Sequence, residues 1–284
     1  MTTYTIVPGD TLYSIAQRLG VPLHLLIEVN DIAGPTLIKP GQLLSVPSIT
    51  TDSSDHPEPP ASEPPLASPI AIDQATLRLP PSGYIAERHP KDLIVLHFTA
   101  GPSARSAFNT WAGAAARVAT AYILDIDGTV FETFDPSCWA YHLGIKGAAS
   151  ANHCHDKRSI GIEIANVGPL KPNAAGDLCW WPPQNRFGRK LCSLDDRHLY
   201  VKTAFRGFEY YASYTEAQIQ ALSPLIEMLR RRFNIPAQLP EPGHVLTADP
   251  AGYFKDFRGI AGHQNFRADK LDVGPAFPWT RITL

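Results

Sequence analysis

Hydrophobic positions along the chain recur with two different periods, and each predicts its own kind of element. From Lys91 onward, short apolar runs rich in β-branched residues, "DLIVLHF", "TAYILDI", "TVFETF", "SIGIEIA" and "GIAGH", predict strands. Asp127 and Gly128 between the second and third predict a tight hairpin. A helical period then takes over: Thr215 caps a helix whose Ile219, Leu222, Leu225, Ile226, Leu229 and Phe233 share one face, until Pro236 stops it. Strands mixed with amphipathic helices predict an α/β fold, a mixed central β-sheet flanked by helices.

The first 48 residues carry a smaller pattern. "YTIV" reads as a strand, "GD" as a turn, and Thr11 as the cap of a helix through Leu19 with Leu12, Ile15, Ala16 and Leu19 on one face. A second helix from Pro22 to Asn30 carries Leu25, Ile27 and Val29, and "QLLSVP" returns as a strand, giving β-α-α-β. Residues 49–73, rich in Pro, Ser and acidic groups, lack the apolar repeats of a core and read as a linker. As polyproline II, about 20 such residues hold two domains up to roughly 60 Å apart. Residues 74–284 then form the larger domain. Within it, residues 169–214 are aromatic with little periodicity and read as a loop insertion that lines or covers a site.

Composition narrows the function. A net charge of −2 with 18% charged residues offers no basic excess for nucleic acid. No run of about 18 apolar residues predicts a membrane span, and no basic start with an apolar run predicts a signal peptide, so synthesis in the cytoplasm is expected. Four cysteines, Cys138, Cys154, Cys179 and Cys192, lack CxxC spacing; a bridge from Cys179 to Cys192 and free buried thiols both fit.

Candidate chemistry collects at strand ends. A hydrolytic zinc site needs about three protein ligands and one position for water. His97 ends "DLIVLH", His263 ends "GIAGH", and Asp272 lies in "KLDVGP", on a turn that brings a carboxylate back toward His263. Each histidine alone reads more simply as a hydrogen-bonded strand-end residue.

Together the motifs resemble known families. "YTIVPGDTLYSIAQRLGV", "LIEVNDI" and "LIKPGQLLSVP" resemble the lysin motif (LysM), which implies a module that holds glycans containing N-acetylglucosamine. "LIVLHFTAG", "VATAYILDIDGTVFE", "CWAYHLG", "SIGIEIANVG", "YTEAQIQAL" and "GIAGHQNFRADKLDVGPAFPW" resemble, in order, the zinc-dependent N-acetylmuramoyl-L-alanine amidases related to peptidoglycan recognition proteins. That resemblance implies His97, His263 and Asp272 as Zn2+ ligands, Glu163 as general base and Lys270 as the group facing the reacting carbonyl. It implies His142 of "YHLG", with Thr120, Tyr122 and Asn166, on the substrate side. Where many relatives read "SAHY" this chain reads "TAY", which leaves more proton transfer to Glu163.

The expected function is hydrolysis of the amide between N-acetylmuramic acid and the L-alanine of the stem peptide, as an endolysin or as an antibacterial effector of type VI secretion. The expected partner is peptidoglycan, with an immunity protein if the chain is an effector, and the expected place of action is the periplasm or cell wall. The alternative is a recognition protein that binds without cleaving. Other clusters carry plainer readings: "NHCHD" at 152–156 as a connecting loop, His244 of "PGH" as a loop histidine, and Arg230 to Arg232 as cations complementing a helix C-terminus.

Overall fold

The computed structural model describes residues 2–7, 15, 19, 26, 29–30, 39, 41–46, 70–113, 116–146, 151–180 and 188–284. The chain divides into two compact units, Met1–Pro65 and Leu66–Leu284. In the first, β1 (Thr2–Thr5) pairs antiparallel with β2 (Leu43–Val46), and Ile6, Ile15, Leu26, Leu44 and Val46 form the core. Asn30 fastens this unit: its amide donates to the Leu26 and Ser45 carbonyls at 2.7 and 2.8 Å and its carbonyl accepts from the Ser45 N–H at 2.7 Å.

Of the helices expected over 11–19 and 22–30, most residues lie outside those described; Ile15, Leu19 and Leu26 are helical. Leu26 is buried, Val29 is 40% exposed, and Leu25 and Ile27 lie outside the described residues. The linker lies outside the described residues as far as 69, but its last two residues, Ile72–Asp73, form strand β3 in the second unit. A two-residue strand leaves no pattern to read.

The second unit is built on β4 (Leu93–Phe98), β5 (Tyr122–Leu124), β6 (Val130–Glu132), β7 (Ser159–Ile164) and β13 (Gly259–Gly262). With β3 they form a six-stranded sheet of order β13-β4-β7-β5-β6-β3. β13, β4, β7 and β5 run parallel, and β5 and β6 form the expected Asp127-Gly128 hairpin.

Strand alternation divides this sheet cleanly. Ile94, Leu96, Ile160, Ile162 and Tyr122 face helix α3 (Glu216–Phe233), which packs down Ile219, Leu222, Leu225, Ile226 and Leu229. Thr215 caps α3 in a reciprocal capping box with Gln218. Leu222 is fully buried in this layer, and truncating such a side chain to alanine typically costs about 2–5 kcal/mol. The opposite face carries Leu93 and Val95 against Phe254, Phe257, Ala261 and Phe266, and Ile123 against α1 (Ala104–Ala112). A short helix α2 (Cys154–Arg158) leads into β7.

Residues 169–214 are not an irregular loop. They form a five-stranded antiparallel sheet, β10-β9-β8-β12-β11, from β8 (Pro169–Pro172), β9 (Asp177–Trp180), β10 (Arg189–Ser193), β11 (Tyr200–Phe205) and β12 (Phe208–Ala212). One cross-strand row reads Lys202, Tyr210, Leu170, Trp180, Arg189, with each end cation over its neighbouring ring at 5.7 and 5.9 Å. Cations and aromatics fill the positions that aliphatics would otherwise mark, which conceals the strand period. Cys179 and Cys192 are buried free thiols with no bridge between them; Cys179 lies opposite Lys190 and Cys192 opposite Leu178.

Candidate active site

The site is assembled at the carboxyl ends of adjacent parallel strands, where loops of open α/β sheets leave crevices. His97 is the penultimate residue of β4, Glu163 is its register partner on β7, and His263 directly follows β13. His97 and Glu163 therefore share one face of the sheet. On β7 that face carries Ser159, Gly161 and Glu163, while Ile160, Ile162 and Ile164 turn to the α3 core.

Three ligand atoms converge there. His97 Nδ1, His263 Nδ1 and Asp272 Oδ2 are separated by 3.0, 3.1 and 2.8 Å, and all three residues are buried. Their outer partners fix which atoms carry protons. Ser159 donates its hydroxyl to the His155 carbonyl at 2.5 Å, so its oxygen accepts from His142 Nε2–H at 2.8 Å. The neutral His142 then presents an Nδ1 lone pair to His97 Nε2–H, 2.9 Å away, and this leaves a lone pair on His97 Nδ1. His263 Nε2 donates to the Leu143 carbonyl at 2.8 Å, which leaves a lone pair on its Nδ1 as well.

Two imidazole lone pairs and a carboxylate oxygen thus point at one another with no proton between them, an arrangement that calls for a cation. A tetrahedral zinc with bonds of about 2.0–2.1 Å holds its ligand atoms about 3.3 Å apart, close to these spacings. The residues fit the metal that the sequence implies.

Electrostatics agree with this assignment of protons. Burial, then the neighbouring His263, lowers His97 to about 4. Burial and His97 hold His142 well below the ordinary histidine range. Burial alone would raise Asp272, but His263 and His97 outweigh it and keep the carboxyl well below its usual range. His97 and His142 are neutral and the Asp272 carboxylate is ionised. Glu163 moves the other way: burial and then the Asp272 charge push it up to about 8 against the opposing Lys270.

His97, His142, Glu163, His263, Lys270 and Asp272 line one cleft of about 360 Å³, to which Phe98, Trp111, Val118 and Leu271 add apolar surface. A larger cavity of about 690 Å³, bordered by Asp92, Arg158, Lys255 and Arg258, contains none of these groups.

The other three expected substrate-side residues do not line the cleft. Tyr122 is register partner of Ile162, not of Glu163, so it lies on the α3 side, fully buried, with its hydroxyl donating to Glu132 at 3.0 Å. Thr120 donates to the Tyr122 carbonyl at 2.8 Å. Asn166 donates to the Ala212 and Ser213 carbonyls at 3.3 and 3.1 Å and accepts from the Gly168 N–H at 2.7 Å.

Supporting residues went unforeseen. Asp156, inside "NHCHD", accepts from the His142 and Leu143 N–H groups at 3.1 and 3.0 Å, holding the turn whose carbonyl orients His263. Burial raises its carboxyl despite those bonds. Asn265, fully buried, donates to the carbonyls of His244, Val245 and Thr247 and accepts from the Gly262 N–H at 2.8 Å. Gly161 leaves the room His142 needs, since a Cβ there would sit 2.7 Å from Thr120 Cγ2 and 3.1 Å from His142 Nδ1. Side-chain pairing across 13 or more residues leaves no local signal, although the small-residue face of "SIGIE" marks a strand approached closely by another group.

The LysM domain profile matches residues 4–47 and the N-acetylmuramoyl-L-alanine amidase profile matches residues 87–275. The curated amidase XlyA of Bacillus subtilis is 44% identical over 59 residues, 20% of this chain and 20% of that protein. Among solved structures, the E. coli amidase AmiD, in complex with the substrate anhydro-N-acetylmuramic acid-L-Ala-D-gamma-Glu-L-Lys, is 22% identical over 69% of this chain and 58% of its own, with a TM-score of 0.43. AmpDh3 from Pseudomonas aeruginosa is 19% identical over 75% and 65%, with a TM-score of 0.41. The LysM domain of a Volvox carteri chitinase is 40% identical over 16% of this chain and 96% of its own, with a TM-score of 0.16. This chain thus spans only a fifth of the curated relative and 58% of AmiD. Because the amidase profile takes in well over half of its residues, the chain belongs to the N-acetylmuramoyl-L-alanine amidase family and carries a LysM domain at its N-terminus.

Proposed function

We propose that this chain hydrolyses the amide between the lactyl group of N-acetylmuramic acid and the L-alanine of the peptidoglycan stem, with its LysM domain holding the glycan. The observation that carries this reading is the meeting of three electron-pair donors, His97 Nδ1, His263 Nδ1 and Asp272 Oδ2, in a cleft that also holds Glu163 and Lys270.

His97, His263 and Asp272 would hold a zinc ion, which would supply a water of pKa near about 7 and a Lewis acid for the carbonyl. Glu163 takes the proton that the attacking water loses and delivers it to the alanine nitrogen as the carbon–nitrogen bond breaks, a role typically worth about 10² to 10⁴ in rate. Lys270 offers a cation to the negative charge that develops on the amide oxygen. Phe98, Trp111, Val118 and Leu271 present apolar surface to the bound stem and limit water beside the reacting bond.

Mass spectrometry of products from purified sacculi tests this. Free stem peptides beginning with L-alanine, lost on chelation and regained with zinc, are expected. Intact glycopeptides in every sample would instead mean recognition without cleavage, and cuts between stem residues would move the scissile bond. Glu163→Ala is expected to keep its metal and lose most turnover; retained activity would remove Glu163 as the base.

A further inference from the structure

The segment between His263 and Asp272 is gripped from outside by one residue of the inserted sheet. Arg206 and Gly207 form the two-residue turn between β11 and β12, closed by the Phe205–Phe208 pair, with φ of 44° and 87°. Turns with two positive φ values favour Asn, Asp or Gly at the first position. An arginine there holds its Cβ close to the following carbonyl oxygen, a conformation that side chains other than glycine avoid.

The guanidinium accounts for that choice. Arg206 Nη1 donates to the Arg267 carbonyl at 3.0 Å and to the Lys270 carbonyl, and Nη2 donates to the Gln264 carbonyl at 3.1 Å. A planar fork of donors matches several acceptors at once in a way that lysine does not. The turn itself is anchored, because Arg206 stacks over Phe205 at 4.7 Å and the buried Tyr211 donates its hydroxyl to the Phe205 carbonyl at 2.6 Å.

Inside the gripped segment, Gln264 N–H donates to the Asp272 carbonyl at 2.6 Å and Lys270 N–H to the Arg267 carbonyl at 3.2 Å. Arg206 therefore reaches the backbone of Gln264, which adjoins His263 and pairs with the Asp272 carbonyl, and the backbone of Arg267 and of Lys270 itself. We propose that the inserted sheet is a brace for this segment and that Arg206 is a positioning residue, which sets Lys270 against the reacting carbonyl and Asp272 against the metal. The proposal rests on the amidase reading for its catalytic consequence and on the hydrogen bonds alone for the brace.

The test compares the full-length chain with Arg206→Ala, Arg206→Lys and, as a control on the same sheet, the exposed Lys202→Ala. Hydrogen exchange of residues 264–272 in metal-free protein reads the brace without activity. Arg206→Ala is expected to speed exchange there about tenfold or more while β4 and β7 stay protected, and unchanged exchange would overturn the brace. On a soluble muropeptide, Arg206→Ala is expected to lower kcat about 10- to 100-fold, the range typical of groups that orient metal ligands, with KM within about twofold of the parent. Added guanidinium is expected to restore part of that loss in Arg206→Ala and none in Arg206→Lys, and Lys202→Ala is expected to match the parent. A kcat within twofold of the parent, or a loss that guanidinium leaves untouched, would overturn the positioning role. A parent that cleaves nothing would sink the amidase reading instead, and the exchange data would still decide the brace.

Discussion

Ser159 makes no direct contact with the converging ligand atoms, yet removing its hydroxyl is expected to weaken metal binding. In Ser159→Ala the His142 Nε2–H loses its acceptor 2.8 Å away inside the buried relay. Two arrangements of the His142 proton follow. If His142 keeps its proton on Nε2, a buried donor goes unsatisfied, which costs about 1–3 kcal/mol. If the proton moves to Nδ1, it meets His97 Nε2–H across 2.9 Å, and His97 escapes only by placing its own proton on Nδ1, where the metal must bind. Metal binding needs the first arrangement while the metal-free protein relaxes to the second, so the loss appears in metal affinity as a weakening of up to about 5- to 150-fold, which overlaps the 10- to 100-fold typical of second-sphere partners. Competition for zinc against a chromogenic chelator at neutral pH measures it. Because Ser159 acts through His142, Ser159→Ala added to His142→Ala is expected to lose little beyond His142→Ala alone. Affinity of Ser159→Ala within twofold of the parent, or losses that simply add, would refute the relay.

Three further perturbations test other parts of the site. In metal-free protein the folded state holds a proton on Glu163 up to about pH 8, whereas the unfolded chain releases it near 4.5, so stability falls as pH rises through that window. His97 and His142, lowered from 6.5, contribute the opposite slope only below that value, and Lys91, lowered to about 8 by burial, only on approaching that pH, so Glu163 dominates denaturant melts between pH 6.5 and about 7.5 in chelator, and Glu163→Gln is expected to flatten them. Gly161→Ala places a methyl 3.1 Å from His142 Nδ1 and 2.7 Å from Thr120, an overpacking worth about 1–3 kcal/mol, and its zinc affinity is expected to fall while Gly243→Ala, in open space, leaves it unchanged. Deleting residues 1–48 is expected to weaken sedimentation with sacculi and to spare cleavage of a soluble muropeptide; equal sedimentation would remove the LysM domain as the tether.

What the sequence revealed depended on how far apart the partners lie along the chain. "DLIVLHF" and "SIGIEIA" were legible as strands because a buried parallel strand is a continuous apolar run, and α3 was legible because five buried side chains repeat at helical spacing beneath a capping box. His97 and His263 stood out at the ends of such runs, and Asp272 through the motif around it. The errors came from parity and from distance. Tyr122 sits one residue before Ile123, the register partner of Glu163, and in a strand one residue reverses the face, so the motif's tyrosine turned into the α3 core. The relay from Ser159 through His142 to His97 joins residues 17 and 45 apart, and Arg206 reaches carbonyls 58 to 64 residues away. No local window holds such pairs. The inserted sheet was hidden differently, since Lys202, Tyr210, Trp180 and Arg189 satisfy one another across strands and leave no aliphatic alternation to count. The same physics explains why the concealed parts are the supporting ones: His97 and His263 sit at rigid strand ends, which sequence marks, whereas an orienting partner need only supply one polar atom from any element that passes within about 3 Å.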